Sequence, residues 1–296
     1  MLQRFLDPAV LAGISGLDLV ARTVVEGFIS GLHRSPDFGF SQEFAEYRAY
    51  TEGDDVRHID WNVFARTERA YLKRFRGETN TLITVLLDAS ASMGFASHRV
   101  SKIDYARFLC ASVFYLAIQR QRDGAGVMVF DDEIRDFVRP STRQGQLMRL
   151  LHALNKAEPR ARTDFSKPFL HAQEFLRRKG IVLVVSDFYE QPDKIIRAVE
   201  PLRFRGSEVL LCHVLDPREI RPLLDRPALV VDMETGDTLD VSPEYAASAY
   251  RDKIEAHISA LREKARASGI DYLLLDTSRP LDEALREYLG LRAGRL

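Results

Sequence analysis

Apolar residues fall in two rhythms along this chain, and the change from one to the other lays out its elements. Leu17, Leu19, Val20, Val24, Phe28 and Ile29 recur near helical spacing, which predicts an amphipathic helix over about 16–30. The Gly and Pro content of Gly31 to Phe40 reads as a loop. From residue 81 onward, short apolar runs alternate with stretches of helical period. Ile83–Leu87, Gly126–Phe130, Ile181–Val185, Glu208–Leu215 and Ile270–Leu275 read as strands, several of them apolar enough to be buried on both faces. Helices are predicted between and after them, over about 102–122, 144–155, 167–179, 193–203, 243–268 and 281–289. Asp131-Asp132 marks a turn into Ile134 to Val138, which alternates like an antiparallel edge strand. Residues 226–242 carry a hairpin signal around Glu234-Thr235-Gly236-Asp237. Together the pattern predicts an α/β fold, a doubly wound and mainly parallel sheet over 80–296 with an inserted β-hairpin, and an N-terminal segment 1–79 packed on it.

Composition narrows the function without naming it. The 296 residues are 46% hydrophobic, ample for a sizeable core. With 42 basic against 43 acidic residues the net charge is −1, so nothing global argues for nucleic acid or an anionic membrane as partner. The two cysteines, Cys110 and Cys212, lack metal-ligand spacing and read as small buried hydrophobes. The first residues lack the pattern of a secretory signal, and Asp18 and Arg22 interrupt the best early apolar run; we expect a cytoplasmic protein without a membrane span.

Chemistry concentrates at the strand ends. The run Ile83–Leu87 breaks into Asp88-Ala-Ser90-Ala-Ser92, where one carboxylate and two hydroxyls can face a common point at a sheet's carboxyl edge. Such hard oxygens suit Mg²⁺ or Mn²⁺; equally, they can cap the next helix or make an Asx-turn. Thr163 lies in a later loop before a helix, and Asp187 ends another buried strand. In a sheet wound in the usual way, all three loops open at one edge. Upstream, residues 43–66 pack together Arg48, Tyr50, Gly53, Asp54, Arg57, Asp60, Trp61 and Arg66, a mixture that suggests bidentate ion pairs around the only Trp. A catalytic role for Asp54, Arg57 or Asp60 is the alternative. A phosphate-binding G-x-x-x-x-G-K-[ST] is absent, and neither Ser90 nor Ser92 lies in a G-x-S-x-G turn. His58 and His98 read as surface or capping residues, since a hard-oxygen site does not call for imidazole.

Asp88, Ser90, Ser92, Thr163 and Asp187 resemble the metal-ion-dependent adhesion site of von Willebrand factor A domains. That resemblance implies serines and threonine on the metal, acids acting often through water, and a vacant position that takes a partner's carboxylate. The run Arg48-Ala-Tyr50-Thr-Glu-Gly53-Asp54-Asp-Val-Arg57-His-Ile-Asp60-Trp61, with Ala65-Arg66, is similar to the signature of the bacterial family called domain of unknown function 58. Its members join this segment to a von Willebrand factor A domain and are commonly encoded beside MoxR-type AAA+ ATPases. The resemblance therefore implies a non-enzymatic Mg²⁺-dependent adaptor whose partner is a MoxR-type ATPase or its client. Two departures stand out: many relatives begin with membrane-spanning helices, and Arg162 precedes Thr163 where a glycine is often found, which leaves Ser166 and Asp164 as substitutes. Two other functions stay open, a metal-dependent phosphatase or hydrolase with Asp88 as nucleophile, and a structural scaffold. Against the first, Ser90 stands where enzymes of the haloacid dehalogenase type have a second Asp.

Overall fold

The structure is a computed structural model and describes residues 6–32, 44–49, 63–64, 70–75, 81–160, 162, 164–176 and 178–293. Its contacts divide the chain into two units, one of Met1–Ile29 with Thr81–Leu296 and one of Ser30–Asn80.

The larger unit is built on a six-stranded sheet. Its strands are β3 (Leu82–Asp88), β4 (Gly124–Phe130), β5 (Ile134–Ser141), β6 (Ile181–Ser186), β7 (Glu208–Leu215) and β10 (Asp271–Asp276). Across the sheet they run β10-β7-β6-β3-β4-β5, all parallel except the β4–β5 edge pair. The strands that read as continuous apolar runs are those buried on both faces: every residue of β4 and β6 is buried, and every residue of β3 after Leu82. β5 is the expected antiparallel edge, but it is partly exposed along its length rather than alternating, because its register against β4 shifts twice; its Pro140 is tolerated there, and a Cβ on the facing Gly126 would stand 2.6 Å from the Pro140 nitrogen, so only glycine fits.

Helices cover both faces. Leu86, Met128, Phe130, Val184 and Leu211 meet Phe169, Ile195, Val199, Leu261 and Ala265 from the helices Ser166–Phe175, Pro192–Phe204 and Arg251–Ala267. On the other face the helix Lys102–Tyr115 buries Ile103, Ala106, Leu109, Cys110 and Val113, and it packs against the helices Gln146–Lys156 and Leu281–Ala293. It runs on through one π-helical turn, Leu116–Arg120, and Arg122 in the left-handed region (φ 59) stops it. The predicted helix over 167–179 is shorter, ending at Phe175, and the Leu176 backbone leaves helical geometry. Leu17–Leu32 is the amphipathic helix expected near the start, burying Val20, Ala21, Val24, Val25 and Phe28. The predicted hairpin is present as β8 (Ala228–Val231) paired antiparallel with β9 (Thr238–Val241). No described helix is long and apolar enough to cross a membrane.

In the smaller unit, β1 (Phe44–Ala49) pairs antiparallel with β2 (Tyr71–Phe75), with a register shift between Phe44 and Glu46. Arg48 falls in β1; Tyr50, Gly53, Asp54, Arg57, Asp60, Trp61 and Arg66 lie outside the described residues.

Because β3 feeds the helix leading to β4 while its other neighbour β6 feeds the helix leading to β7, the loops leaving β3 and β6 diverge. The crevice between them is the switch point at which open α/β sheets bind ligands. Asp88 and Asp187 flank it.

Candidate metal centre

Each strand end delivers one part of the centre. At the end of β3, Asp88 is fully buried; its Oδ1 accepts the Ser90 amide at 2.8 Å and its Oδ2 accepts the Ser186 hydroxyl at 2.6 Å. The first bond is an Asx-turn that starts the bend into the 3₁₀ turn Ala91–Gly94. That bend brings the Ser90 and Ser92 hydroxyl oxygens to 3.1 Å. Ser92 Oγ in turn donates to Glu234 Oε1 at 3.0 Å, from the connection between β8 and β9.

At the end of β6, Asp187 Oδ2 accepts the Lys102 ammonium at 2.7 Å. Lys102 is completely buried and also donates to Glu219 Oε1 at 2.6 Å, while the rings of Tyr189 and Phe95 lie 4.9 Å and 5.9 Å from its nitrogen. Burial alone would pull its pKa down, but Asp187 and Glu219 outweigh it and hold the ammonium above its ordinary value. Glu219 belongs to a capping box after β7: Asp216 caps the turn Pro217–Ile220, and Glu219 returns to the Asp216 amide. Asp216 also accepts the Ser97 amide and hydroxyl, tying the loop after β3 to the end of β7.

Thr163 lies outside the described residues, but the chain on either side of it runs past the same edge. The Arg160 amide donates to the Ala89 carbonyl at 2.8 Å, and the Asp164 amide to the Asp131 carbonyl at 3.2 Å. Asp164 Oδ1 accepts the Ser166 amide, so these two alternatives to Thr163 are joined at the start of a helix. Asp131 and Asp132 form the expected turn, both bonded to Arg135. His98 is structural, its Nε2 2.9 Å from Thr277 Oγ1.

Among the described residues, no three His, Cys, Asp or Glu side chains gather as a ligand set, so any metal here would rest on hydroxyls. The donors do fit Mg²⁺. An octahedron with ligands at about 2.1 Å has edges of about 3.0 Å, and the Ser90–Ser92 and Ser92–Glu234 oxygen separations are 3.1 Å and 3.0 Å. Asp88 fits as an acid acting at one remove, because protein donors already occupy both of its oxygens. Burial, and then Asp187, push its pKa up to about 7; a cation beside it would draw it back down.

The structure thus brings together Asp88, Ser90, Ser92 and Asp187 from the sequence-predicted set. It adds Ser186, Lys102, Glu219 and Glu234, which sequence reasoning missed. One of these left a signal: a lysine at the first position of a helix opposes the helix dipole, so Lys102 needed acids close by.

Behind the centre, His213 of β7 is wholly buried, its Nδ1 2.6 Å from the Tyr272 hydroxyl and its ring edge-on to Phe188. Burial, with His257 next, pulls its pKa down to about 3. The folded protein therefore holds this imidazole neutral while the unfolded chain protonates it below about 6.5. The resulting stability is present at neutral pH and is lost progressively as pH falls from about 6.5 towards 3. His213→Phe should flatten that acid limb in denaturant titrations across pH, while adding a pH-independent loss of about 1 kcal/mol for the Tyr272 hydroxyl. An unchanged acid limb would show that this imidazole does not set it.

Known proteins place the chain. The uncharacterized protein Rv1480 of Mycobacterium tuberculosis (strain ATCC 25618 / H37Rv) is 27% identical over 300 residues, covering 98% of this chain and 92% of that protein. Among solved structures, the conserved hypothetical protein BatB from Bacteroides thetaiotaomicron is similar at TM-score 0.48 and 15% identity, over 72% of this chain and 99% of that one. A von Willebrand factor type A protein from Catenulispora acidiphila is similar at TM-score 0.33 and 12% identity, over 62% and 43%. The model of the family described as "Protein of unknown function DUF58" matches residues 46–264, which take in most of β1, the whole of the candidate centre and most of the sheet, and the chain belongs to that family.

Proposed function

We propose that this protein is a non-enzymatic, Mg²⁺-dependent protein-binding module. Ser90, Ser92 and Thr163 would hold the ion, with Asp88 and Asp187 behind them. Mostly neutral donors leave a bound ion electrophilic, and this is the chemistry it would supply: affinity for an acidic side chain of a partner. The family resemblance suggests a MoxR-type AAA+ ATPase or its client as that partner.

The observation that carries the reading is the paired serine hydroxyls, 3.1 Å apart and fixed by a buried carboxylate at the switch point of the sheet. It favours holding over attack. A nucleophilic carboxylate needs an oxygen free to reach substrate, whereas Asp88 is sealed from solvent with both oxygens hydrogen-bonded.

Titration calorimetry with Mg²⁺ and Mn²⁺ tests this. Asp88→Ala should weaken metal binding by about 10–100-fold, the usual loss when a group that orients ligands is removed, and the same variant should lose metal-dependent binding to the ATPase. A wild-type protein that takes up neither ion would end the metal-centre reading.

A further inference from the structure

The ribbon formed by β8 and β9 stands out from the body of the larger unit. Leu229, Val230, Val231 and Leu239 are all about half exposed or more, so neither face of the ribbon is covered, and Val241 is the buried residue at its foot. At its far end it comes back to the centre: Glu234 Oε1 accepts from Ser92 Oγ at 3.0 Å, across 142 residues of sequence, and the Met233 methyl lies against Gly94. The tip is a built turn. Asp232 Oδ1 accepts the amides of Glu234 and Thr235 at 2.7 Å and 2.9 Å, Thr235 Oγ1 bonds Asp237, and Gly236 takes a positive φ of 76°. Glu234 is thus presented on a rigid turn.

Its placement has a chemical reading. Glu234 Oε1 and Ser90 Oγ each lie within hydrogen-bond distance of Ser92 Oγ, at 3.0 Å and 3.1 Å, separations that also match the edge of about 3.0 Å of a Mg²⁺ octahedron. Ser92 gives its proton to Glu234, so in the 3.1 Å contact Ser90 donates to Ser92, which leaves one Ser92 lone pair to face elsewhere. A carboxylate in this place occupies the kind of position an incoming acidic side chain would take.

We infer that Glu234 is the internal carboxylate of the centre. It fills the position open to a partner's acid, so that partner and ribbon compete for one site and binding releases the ribbon. This rests on the metal-centre reading above and adds a ligand and a specificity device to it: a partner must present a carboxylate that outcompetes a tethered one.

The test uses Mn²⁺ as metal and acetate as the probe carboxylate on the full chain. Binding is followed by calorimetry, and exchangeable water on bound Mn²⁺ by water-proton relaxation. Glu234→Gln should bind Mn²⁺ about tenfold more weakly and carry more exchangeable water than wild type. Acetate should displace that water in the variant but not in the wild type. Asp240→Asn, on the same ribbon but away from its tip, should behave as wild type. If Asp88→Ala weakens binding as expected but Glu234→Gln leaves the water unchanged, the internal carboxylate is wrong and the metal centre stands. If the wild type binds no Mn²⁺, both fall.

Discussion

Lys102→Met should lower the unfolding free energy by about 3–5 kcal/mol, the usual penalty for removing one partner of a buried ion pair. The side chain is fully buried, and its ammonium is shared by Asp187 and Glu219 at 2.7 Å and 2.6 Å. Methionine matches its volume, so packing changes little. What changes is electrostatic, since two carboxylates are left in a site from which water is excluded. Urea denaturation at neutral pH gives the loss, and Glu219→Gln in the same background should return part of it by removing one of the stranded charges. A loss below about 1 kcal/mol would mean that the carboxylates rehydrate in the folded protein and that the triad is not structural.

Phe165→Ala should produce a loss of similar size, about 3–5 kcal/mol for emptying a large aromatic from a core, with a second effect on the centre. Phe165 stacks on Phe188 at 5.7 Å and meets Phe130 and Phe169 at 5.8 Å and 5.6 Å. Phe130 ends β4 and Phe188 follows Asp187, so one ring joins the ends of two strands to the loop that contains Thr163. Without it that loop loses its anchor two residues from the threonine, and Mg²⁺ affinity should fall by about tenfold. Phe165→Leu separates the two: it should recover much of the stability and most of the affinity. Metal binding unaltered in Phe165→Ala would mean that this loop is not part of the centre.

The sheet was legible because its strands are short apolar runs between helical periods, and each expected strand of the larger unit is present. β1 and β2 were not: Phe-Ala-Glu-Tyr-Arg-Ala and Tyr-Leu-Lys-Arg-Phe mix charges into a ladder whose partners lie more than twenty residues apart, and neither run is purely apolar nor strictly alternating. Asp88, Ser90 and Ser92 were legible as a motif because the turn that joins them is local. Their partners were not, since Ser186 meets Asp88 across 98 residues and Glu219 meets Lys102 across 117, separations that leave no trace in a local pattern. The Asp216-Pro-Arg-Glu219 box is local, yet nothing local reveals that Glu219 also faces a lysine.

That same spread over the chain imposes an order on synthesis. The loop bearing Ser90 and Ser92 leaves the ribosome well before Glu234, 142 residues behind Ser92, and at about 5–20 residues per second the interval is on the order of ten seconds. β3 can pair with β4 within 42 residues but waits 98 for β6, so the nascent protein carries a loop of unburied hydroxyls beside an apolar strand that is paired on one side only. The ribbon is the last constituent of the centre to arrive. A chain interrupted before residue 234 would leave the Ser92 hydroxyl without its carboxylate, open to whatever ligand or chaperone meets it first.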